Sequence, residues 1–292
     1  DKLYTKYEKK YPHLEKIKAR ALMSKIIEAQ IESGQPYMLY KDSINKKSNQ
    51  KNIGIIKSSN LCAEIVEYSE KNETAVCNLA SIALPKFINK KEKTYDYNKL
   101  YETSKLAIKN LDQVIDINYY AVKAAETSNM LHRPIGLGIM GFHDALYMLE
   151  TPYASEEAVE FADRSMEMVS YFAIKASSDL AKERGAYKSY EGSLWSQGIL
   201  PIDSIKLLKE SRGDNYLDVD ESSTMDWDGL RDTVKKQGMR NSNVMAIAPT
   251  ATIAAAEAMN EFGGVITSSP GPTPSALRPR TRASVPELTP TA

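Results

Sequence analysis

Cysteine is scarce in this chain of 292 residues, which contains only Cys62 and Cys77. Two thiols are too few for the disulfide framework that stabilises many small secreted proteins. The three histidines, at positions 13, 132 and 143, do not lie at metal-site spacing from the cysteines, so the sequence predicts no bound metal. Each cysteine therefore has to be interpreted by itself, either as an inert buried side chain or as a reactive thiol.

Long apolar runs and an excess of charge are also missing. No run approaches the roughly 20 residues that a membrane-spanning helix needs, and the first residues lack the apolar segment of a secretory signal. The 38 basic and 38 acidic side chains balance, which gives no electrostatic reason to expect an anionic partner. We therefore expect a cytoplasmic protein that binds neither a membrane nor nucleic acid.

The pattern of apolar residues predicts a mixed fold. With 42% hydrophobic residues, the chain can bury a substantial core. Apolar residues recur at helical spacing in residues 14–33, 97–114, 155–184 and 227–237. Shorter apolar segments, typical of strands, are residues 37–40, 53–56 and 244–248. This alternation favours an α/β layer or barrel over a helical bundle or a β-sandwich.

The composition changes after residue 261. Residues 262–292 contain six of the thirteen prolines and no lysine. Such a segment is not expected to extend a packed core, so we predict a domain over residues 1–261 followed by a disordered, proline-rich tail over residues 262–292. On this interpretation, deleting the tail leaves the stability of the chain nearly unchanged.

Polar and apolar residues alternate around Cys62, in the segment SSNLCAEIVEY. In an extended chain, side chains two positions apart point the same way, so Asn60, Cys62 and Glu64 would present an amide, a thiol and a carboxylate on one face. That is a compact reactive cluster. The alternative is that Cys62 is a small buried residue beside a solvated carboxylate, and Cys77, in the apolar stretch AVCNLASIALP, is open to the same two interpretations.

The segment GLGIMG, with Gly136, Gly138 and Gly141, matches the spacing of a dinucleotide-binding fingerprint. That fingerprint follows a strand, whereas only three residues, including Pro134, separate this segment from the polar residues before it. We therefore favour a tight turn with close backbone packing. A nicotinamide-dependent dehydrogenase is the competing interpretation.

The segment MAIAPTATIAAAE has a different pattern. A buried strand is predicted to end at Ala248, and a short turn over residues 250–253 leads into an alanine-rich helix. Backbone N–H groups at such a helix start can bind phosphate, aided by threonine hydroxyls. Ordinary capping of the helix by Thr250 or Thr252 accounts for the pattern equally well.

Several longer segments occur together and in a characteristic order. They are QPYMLYKD, KSNQKNIGIIKSSNLCAEIVEYSEKNETAVCNLASIALP, NMLHRPIGLGIMG, DLAKERGAY, YEGS and GMRNSNVMAIAPTATIA. These segments resemble the catalytic core of class I ribonucleotide reductase large subunits, over roughly residues 14–256. Their co-occurrence is far more specific than any single motif.

The resemblance implies a role for each candidate residue. Cys62 is oxidised to a thiyl radical and abstracts the ribose 3′ hydrogen, Glu64 takes the 3′-hydroxyl proton, and Asn60 hydrogen-bonds the ribose. Cys77 is one member of the redox pair that supplies reducing equivalents as the 2′ hydroxyl leaves as water. The substrate diphosphate is bound by Thr250, Ala251, Thr252 and Ile253.

The resemblance also implies the fold, the partners and the cofactors. The fold is α/β, part of a ten-stranded α/β barrel with the catalytic cysteine on an inserted finger loop. The substrates are ribonucleoside diphosphates, and the partners are a metal-containing small subunit that supplies the radical, thioredoxin or glutaredoxin, and a second copy of the full-length protein. This chain binds no cofactor itself, and ATP and deoxynucleotide effectors bind segments that are absent from it.

Some parts of the family pattern are not found in the chain, including the second redox cysteine, the effector sites and the later barrel strands. We therefore expect a fragment that is inactive alone. The alternative function is a catalytically silent nucleotide-binding or interaction fragment of the same fold.

Overall fold

The computed structural model describes residues 2–213 and 219–250, Ile253, and the backbone of Val265–Thr267. The chain divides into two units, Asp1–Ile44 and Asn45–Ala292. The first unit contains α1 (Lys2–Lys10) and α2 (Ala19–Ser33), and neither helix has a buried residue. The helix α3 (Lys41–Lys47) spans the boundary.

Two predictions for the first unit need correction. The helix predicted over residues 14–33 forms only from Ala19, and it ends at Gly34, whose N–H donates to the Gln30 carbonyl at 2.9 Å with a φ of 74°. The strand predicted over residues 37–40 is wrong, because this segment has no regular structure and its side chains are exposed. An apolar segment becomes a strand only where a neighbouring strand satisfies its backbone.

The second unit is built on a three-stranded sheet with the order β4, β1, β5. The central strand β1 (Leu79–Ala83) runs parallel to β4 (Gly136–Met140) and antiparallel to β5 (Val265–Thr267). All five residues of β1 are buried, as expected for a strand covered on both faces. A separate hairpin pairs β2 (Ile88–Asn89) with β3 (Thr94–Tyr95).

Residues 243–246 run beside β4 as a further, strand-like segment. The N–H of Leu137 donates to the Val244 carbonyl at 2.9 Å, and the N–H of Ala246 donates to the Leu137 carbonyl at 3.2 Å. The segment forms one parallel bridge, between Leu137 and Met245, so the strand predicted over residues 244–248 is confirmed as an extended, sheet-bound segment only. The strand predicted over residues 53–56 is wrong, because the side chain of Asn45 bonds both backbone groups of Ile56 in place of a partner strand.

The described part of the second unit contains six further α-helices. They are α4 (Tyr97–Ile117), α5 (Lys123–His132), α6 (Phe142–Leu149), α7 (Glu156–Arg184), α8 (Ser204–Arg212) and α9 (Trp227–Gln237). The predictions for α4, α7 and α9 are confirmed, with α4 three residues longer than expected. As predicted, Ser155 caps α7 by accepting from the Ala158 N–H at 3.2 Å, and the helix ends at Gly185.

The core lies between the sheet and the packed helices, where α4 contacts α7 and α7 contacts α9. Its largest fully buried side chains are Trp195, Ile82, Leu84, Leu100, Ile108, Leu111, Ile115, Leu137, Leu146, Ile174, Leu230 and Met239. The predicted mixed α/β class is therefore confirmed. The described residues form no closed barrel.

The predicted tail contains one strand. Composition predicts a disordered segment from residue 262, whereas the backbone of β5 pairs with β1 through Ala80 and Thr267, Ser81 and Ile266, and Ile82 and Val265. These three tail residues are β-branched and contain no proline, which suits a strand. The predicted boundary after residue 261 lies outside the described residues. No helix among the described residues is long and apolar enough to cross a membrane.

Candidate active site

Cys62 lies at the tip of a tight turn over residues 60–65. The N–H of Asn60 donates to the Ile65 carbonyl at 3.2 Å, and the Oδ1 atom of Asn60 accepts from the Ile65 N–H at 3.1 Å. Ala63 has a φ of 65°, the left-handed conformation that reverses the chain. The extended conformation predicted for this segment is therefore wrong, and the thiol of Cys62 is exposed at the tip.

The turn stores backbone strain beside the thiol. A left-handed alanine costs about 1–2 kcal/mol, and such strain persists where surrounding contacts fix the chain. Here the fixing contacts come from Asn60, whose backbone and side chain both bond to Ile65. The turn uses one lone pair of the Asn60 amide oxygen, so the predicted contact of this residue with a ribose would come from the amide nitrogen or from the second lone pair of the oxygen.

The residue after the turn anchors it to the sheet. Ile65 is buried in a small cluster with Leu79 of β1 and Ala246, and Cys77 and Ala248 pack against this cluster. Ala248 lies two residues before Thr250, the start of the predicted diphosphate loop. The structure thus brings the Cys62 turn, Cys77 and the approach to residue 250 to the same place.

Cys77 is half-buried and, like Cys62, is a free thiol. Burial raises the pKa of the Cys77 thiol to about 11, and the charges of Glu67, Glu64 and Cys62 contribute in the same direction. Glu64 and Glu67 lie on either side of Ile65 in sequence, and Ile65 packs in one cluster with Cys77, so the two carboxyl groups are placed near this thiol. A thiol with this pKa is almost entirely protonated at neutral pH.

Cys77 is positioned by the residue that follows it. The side chain of Asn78 donates to the Pro134 carbonyl at 2.9 Å, and the Asn78 carbonyl accepts from the Gly136 N–H at 2.9 Å. Asn78 is 1% exposed, so both bonds are shielded from water. Cys77 therefore sits at the fixed start of β1, whereas Cys62 sits on a turn.

Two carboxyl groups line this cluster, and the sequence singled out only one of them. Glu64 is half-buried, and its Oε2 atom is buried with no hydrogen-bond partner among the described residues. Glu67 is 7% exposed, its Oε2 atom is likewise unpartnered there, and burial raises its pKa to about 8. Glu67 could have been found from the sequence, since it lies two positions after the apolar Ile65 and shares its buried side.

Gln50 fixes the backbone next to Glu67. Its Oε1 atom accepts from the Tyr68 N–H at 2.7 Å, and its Nε2 atom donates to the Ser242 hydroxyl at 3.3 Å. Gln50 is 2% exposed, so this single amide connects the segment after the Cys62 turn to the segment that leads into residues 243–246. Neither contact was predicted, because Gln50 and Ser242 are 192 residues apart.

A buried histidine fixes the loop between the two cysteines. The Nε2 atom of His132 lies 2.7 Å from a carboxylate oxygen of Glu73, and its Nδ1 atom lies 2.6 Å from the Ser189 hydroxyl. A neutral imidazole satisfies both contacts by donating to Glu73 and accepting from Ser189. His132 therefore connects the end of α5 to the loop before Cys77 and to Ser189, which directly precedes the YEGS segment.

The start of the predicted diphosphate loop is positioned by a buried carboxylate. Asp112 of α4 is fully buried, and it pairs with Arg133 at 2.8 Å, Arg184 at 3.1 Å and Arg240 at 3.3 Å. The amide of Asn241 also donates to Asp112, at 3.2 Å. These contacts anchor residues 240–241, from which the strand-like segment runs towards residue 250.

The predicted diphosphate loop itself is described only in part. Thr250 is half-buried, Ile253 is half-buried and in helical conformation, and Ala251 and Thr252 lie outside the described residues. A helical Ile253 agrees with the helix start predicted there. Binding of a diphosphate by these residues stays a prediction.

The glycines of GLGIMG lie in a strand and leave no room for a cofactor. A Cβ atom on Gly138 would lie 2.3 Å from the Ala246 carbonyl oxygen, and one on Gly136 would lie 2.6 Å from the Leu79 side chain. The predicted tight turn is therefore wrong except at Gly141, which has a φ of 71° before α6. The predicted close backbone packing is confirmed, and the dinucleotide loop is not formed.

Comparison with known proteins places these features in a family. Residues 1–265 match the family described as ribonucleotide reductase, barrel domain. The chain is 50% identical over 258 residues to the ribonucleoside-diphosphate reductase subunit alpha of Chlamydia pneumoniae, covering 87% of this chain and 24% of that protein. It is 48% identical over 252 residues to the large subunit of Plasmodium falciparum, covering 86% of this chain and 30% of that protein. It is 43% identical over 268 residues to the large subunit of Arabidopsis thaliana, covering 86% and 31%. The chain thus spans about a quarter to a third of the length of the curated relatives that it matches.

Proposed function

The chain belongs to the ribonucleotide reductase barrel-domain family, and on that premise we propose that it carries the catalytic cysteine loop of a ribonucleoside-diphosphate reductase large subunit. The proposed reaction converts ribonucleoside diphosphates to 2′-deoxyribonucleoside diphosphates for DNA precursor synthesis. Because the relatives are several times longer, the proposal assigns to this chain the cysteine loop and part of the substrate site, and it expects no turnover from the chain alone.

One observation carries the proposal: Ile65, which follows the Cys62 turn, packs in the same cluster as Cys77 and Ala248. In the proposed mechanism a thiyl radical on Cys62 removes the ribose 3′ hydrogen, and Glu64 takes the 3′-hydroxyl proton. Asn60 hydrogen-bonds the ribose. Cys77 and a second thiol supply two electrons as the 2′ hydroxyl leaves as water.

The remaining parts of the proposal concern binding and partners. The substrate diphosphate binds through Thr250, Ala251, Thr252 and Ile253, at the helix start that the sequence predicts there. The whole protein forms a homodimer in the cytoplasm, receives its radical from a metal-containing small subunit and its electrons from thioredoxin or glutaredoxin, and binds ATP and deoxynucleotide effectors elsewhere. Residues 1–261 belong to a ten-stranded barrel with Cys62 on its finger loop, and β5 is the part of residues 262–292 that joins its sheet.

The test uses the complete large subunit that contains this chain, with its small subunit and a dithiol, and measures formation of deoxycytidine diphosphate. Cys62→Ser should abolish product without changing substrate binding. Leu61→Ala is the matched control, since this neighbouring side chain is 88% exposed and should be dispensable. Substrate binding with no product from the unaltered protein would favour the catalytically silent alternative instead, and activity retained by Cys62→Ser would refute the proposal.

A further inference from the structure

Glu67 is a buried acid without an assigned role, and it lies in the cluster around Cys77. It is 7% exposed, and its buried Oε2 atom has no hydrogen-bond partner among the described residues. A carboxyl group in such surroundings loses the hydration that stabilises its charged form. The burial of Glu67 therefore carries a free-energy cost, and we expect this side chain to have a functional role.

The surroundings fix Glu67 in place. Ile65, on the same side of the chain, is buried against β1, and the N–H of the next residue, Tyr68, is bound by the buried Gln50. Gly54 packs under the Tyr68 ring so closely that a Cβ atom there would lie 2.1 Å from it. Contacts on both sides of Glu67 thus restrict where its carboxyl group can move.

Packing and charge both link Glu67 to Cys77. Ile65, two residues before Glu67 and buried like it, packs in one cluster with Cys77. Among the charged groups that act on the Cys77 thiol, Glu67 contributes most, followed by Glu64 and then Cys62. Glu64 is already assigned to the substrate in the proposed function. Glu67 lies three residues after Glu64 and is more deeply buried. It is therefore the acid available to the redox chemistry of Cys77.

We propose that Glu67 is the proton relay of Cys77. Its carboxylic acid gives a proton to the Cys77 thiolate that is released when an external dithiol reduces the disulfide, and the resulting carboxylate takes up a proton that the dithiol loses. Glu67 acts through Cys77 and does not contact the substrate, so it is a positioning residue for the redox step. This inference rests on the proposed function.

The chemistry balances as follows. One ribonucleotide and two thiols give one deoxyribonucleotide, one disulfide and one water, so two electrons pass from two sulfur atoms to the ribose 2′ carbon as its C–O bond breaks. The second thiol belongs to a cysteine outside this chain. Both thiol hydrogens leave with the deoxyribonucleotide and the water. An external dithiol then reduces the disulfide and is itself oxidised to a disulfide. The Cys77 thiolate takes its proton from Glu67, and a proton that the dithiol loses restores the acid form of Glu67.

The acid strengths of the two groups suit this exchange. With a pKa of about 11, about one Cys77 thiol in ten thousand is ionised at neutral pH, so the thiol needs a base to react and an acid to leave. With a pKa of about 8, Glu67 is populated in both forms near neutral pH. It can therefore give and take a proton within the same catalytic cycle.

The test isolates Cys77 in the Cys62→Ser variant, where it is the only thiol of the chain. Its rate of alkylation by iodoacetamide is measured against pH, with and without Glu67→Gln. Removing the negative charge should lower the midpoint of the profile by about one pH unit. Glu70→Gln is the matched control, because this exposed acid lies on the same segment and is not among the charges that act on Cys77. An unchanged midpoint in Glu67→Gln would overturn the proposal.

A second measurement separates a proton relay from a mere neighbouring charge. Cys77 is converted to its methyl disulfide, and the rate of its release by dithiothreitol is followed by mass spectrometry below pH 8. A lower thiol pKa alone would make Cys77 a better leaving group and speed release in Glu67→Gln. Loss of a proton donor should instead slow release by about tenfold or more, and faster release would reject the relay.

Glu67→Asp is the second variant for the release measurement. Gln reproduces the neutral form of Glu67, so Glu67→Gln is expected to fold. If it does not fold, Glu67→Asp replaces it and should give a release rate between that of the unaltered protein and that of a variant without an acid. A release rate in Glu67→Asp as low as that without any acid would count against the relay. Neither thiol measurement requires turnover. Failure of the proposed function would therefore appear only in the deoxynucleotide assay, and failure of the relay only in the thiol rates.

Discussion

The Oδ1 atom of Asn60 accepts a hydrogen bond from the backbone N–H of Ile65, and this 3.1 Å contact closes the turn that presents Cys62. Asn60→Ala should remove the contact and destabilise the turn by about 1 kcal/mol. The rate at which Cys62 is alkylated should then increase. Asn60→Asp keeps an acceptor oxygen at the same place and should preserve the turn. Thermal denaturation and Cys62 alkylation check this, and equal effects of the two variants would show that the side chain does not close the turn.

Gly138 should not tolerate a side chain. A Cβ atom there would lie 2.3 Å from the Ala246 carbonyl oxygen, which is backbone and cannot rotate away. Gly138→Ala should therefore separate β4 from residues 243–246 and lower the free energy of unfolding by about 3 kcal/mol. In Gly185→Ala a new Cβ would meet open space at a φ of 84°, so this control should lose about 1 kcal/mol. Urea denaturation of both variants measures the difference.

His132 should contribute more to the stability of the chain than the exposed His143 does. His132→Ala removes a buried ring and leaves the Glu73 carboxylate and the Ser189 hydroxyl without their partner, which should cost about 3 kcal/mol. Ser189→Ala removes one bond and should cost about 1 kcal/mol. The exposed His143 is the control, and His143→Ala should change the stability by less than about 0.5 kcal/mol. Similar losses in His132→Ala and His143→Ala would contradict this account.

The buried Glu67 predicts a specific dependence of stability on pH. Burial raises its pKa from 4.5 to about 8, so between these values the folded chain binds a proton at Glu67 and the unfolded chain does not. The stability that comes from the protonated group is full below pH 4.5 and is lost as the pH rises to about 8. The thermal midpoint of the unaltered chain should thus fall more between about pH 5 and about pH 8 than that of Glu67→Gln. Parallel curves for the two proteins would mean that Glu67 is already ionised in the folded chain.

The pairing of β5 with β1 reverses the expectation that the tail is dispensable. Deleting residues 262–292 removes β5 and exposes the backbone edge of the central strand, so the free energy of unfolding should fall by about 2 kcal/mol. Deleting only residues 268–292 keeps β5 and should leave the stability nearly unchanged. If both deletions behave alike in thermal denaturation, the pairing contributes nothing.

Local signals in the sequence were sufficient for α4, α7 and α9, whereas α5, α6 and α8 were not predicted. The hydroxyl of Ser155, the acids after it and Gly185 lie next to one another in the chain and specify α7 without reference to the rest of the fold. The same reasoning failed at residues 53–56, because the bonding partner of Ile56 is the side chain of Asn45 and no strand. It failed again at β5, where the deciding partner, β1, is almost 200 residues earlier.

The geometry around Cys62 was not predicted from the sequence, and the roles of the candidate site residues stay predictions. Buried and less buried residues do alternate in this segment, but the alternation begins at Ile65. The hydrogen bond between Asn60 and Ile65 holds residues 60–64 in a turn, so this part of the segment is not extended. That shift places Glu67 on the buried side of the chain together with Ile65. Similarly, the glycines of GLGIMG were expected in a turn, and the close approach of Ala246 makes them strand residues instead.

The helices α1 and α2 have 9 and 15 residues and bury none of them. Helices of this length are marginally stable in water without a buried face. Their backbone amides should therefore exchange with deuterated solvent through local opening, at a low free-energy cost, whereas amides of α4 and α7, which have fully buried residues, should exchange only when the core unfolds. In hydrogen exchange the first 44 residues would consequently behave as a separate, rapidly opening part of the chain, and the amides behind Cys77 in β1 would be among the last to exchange.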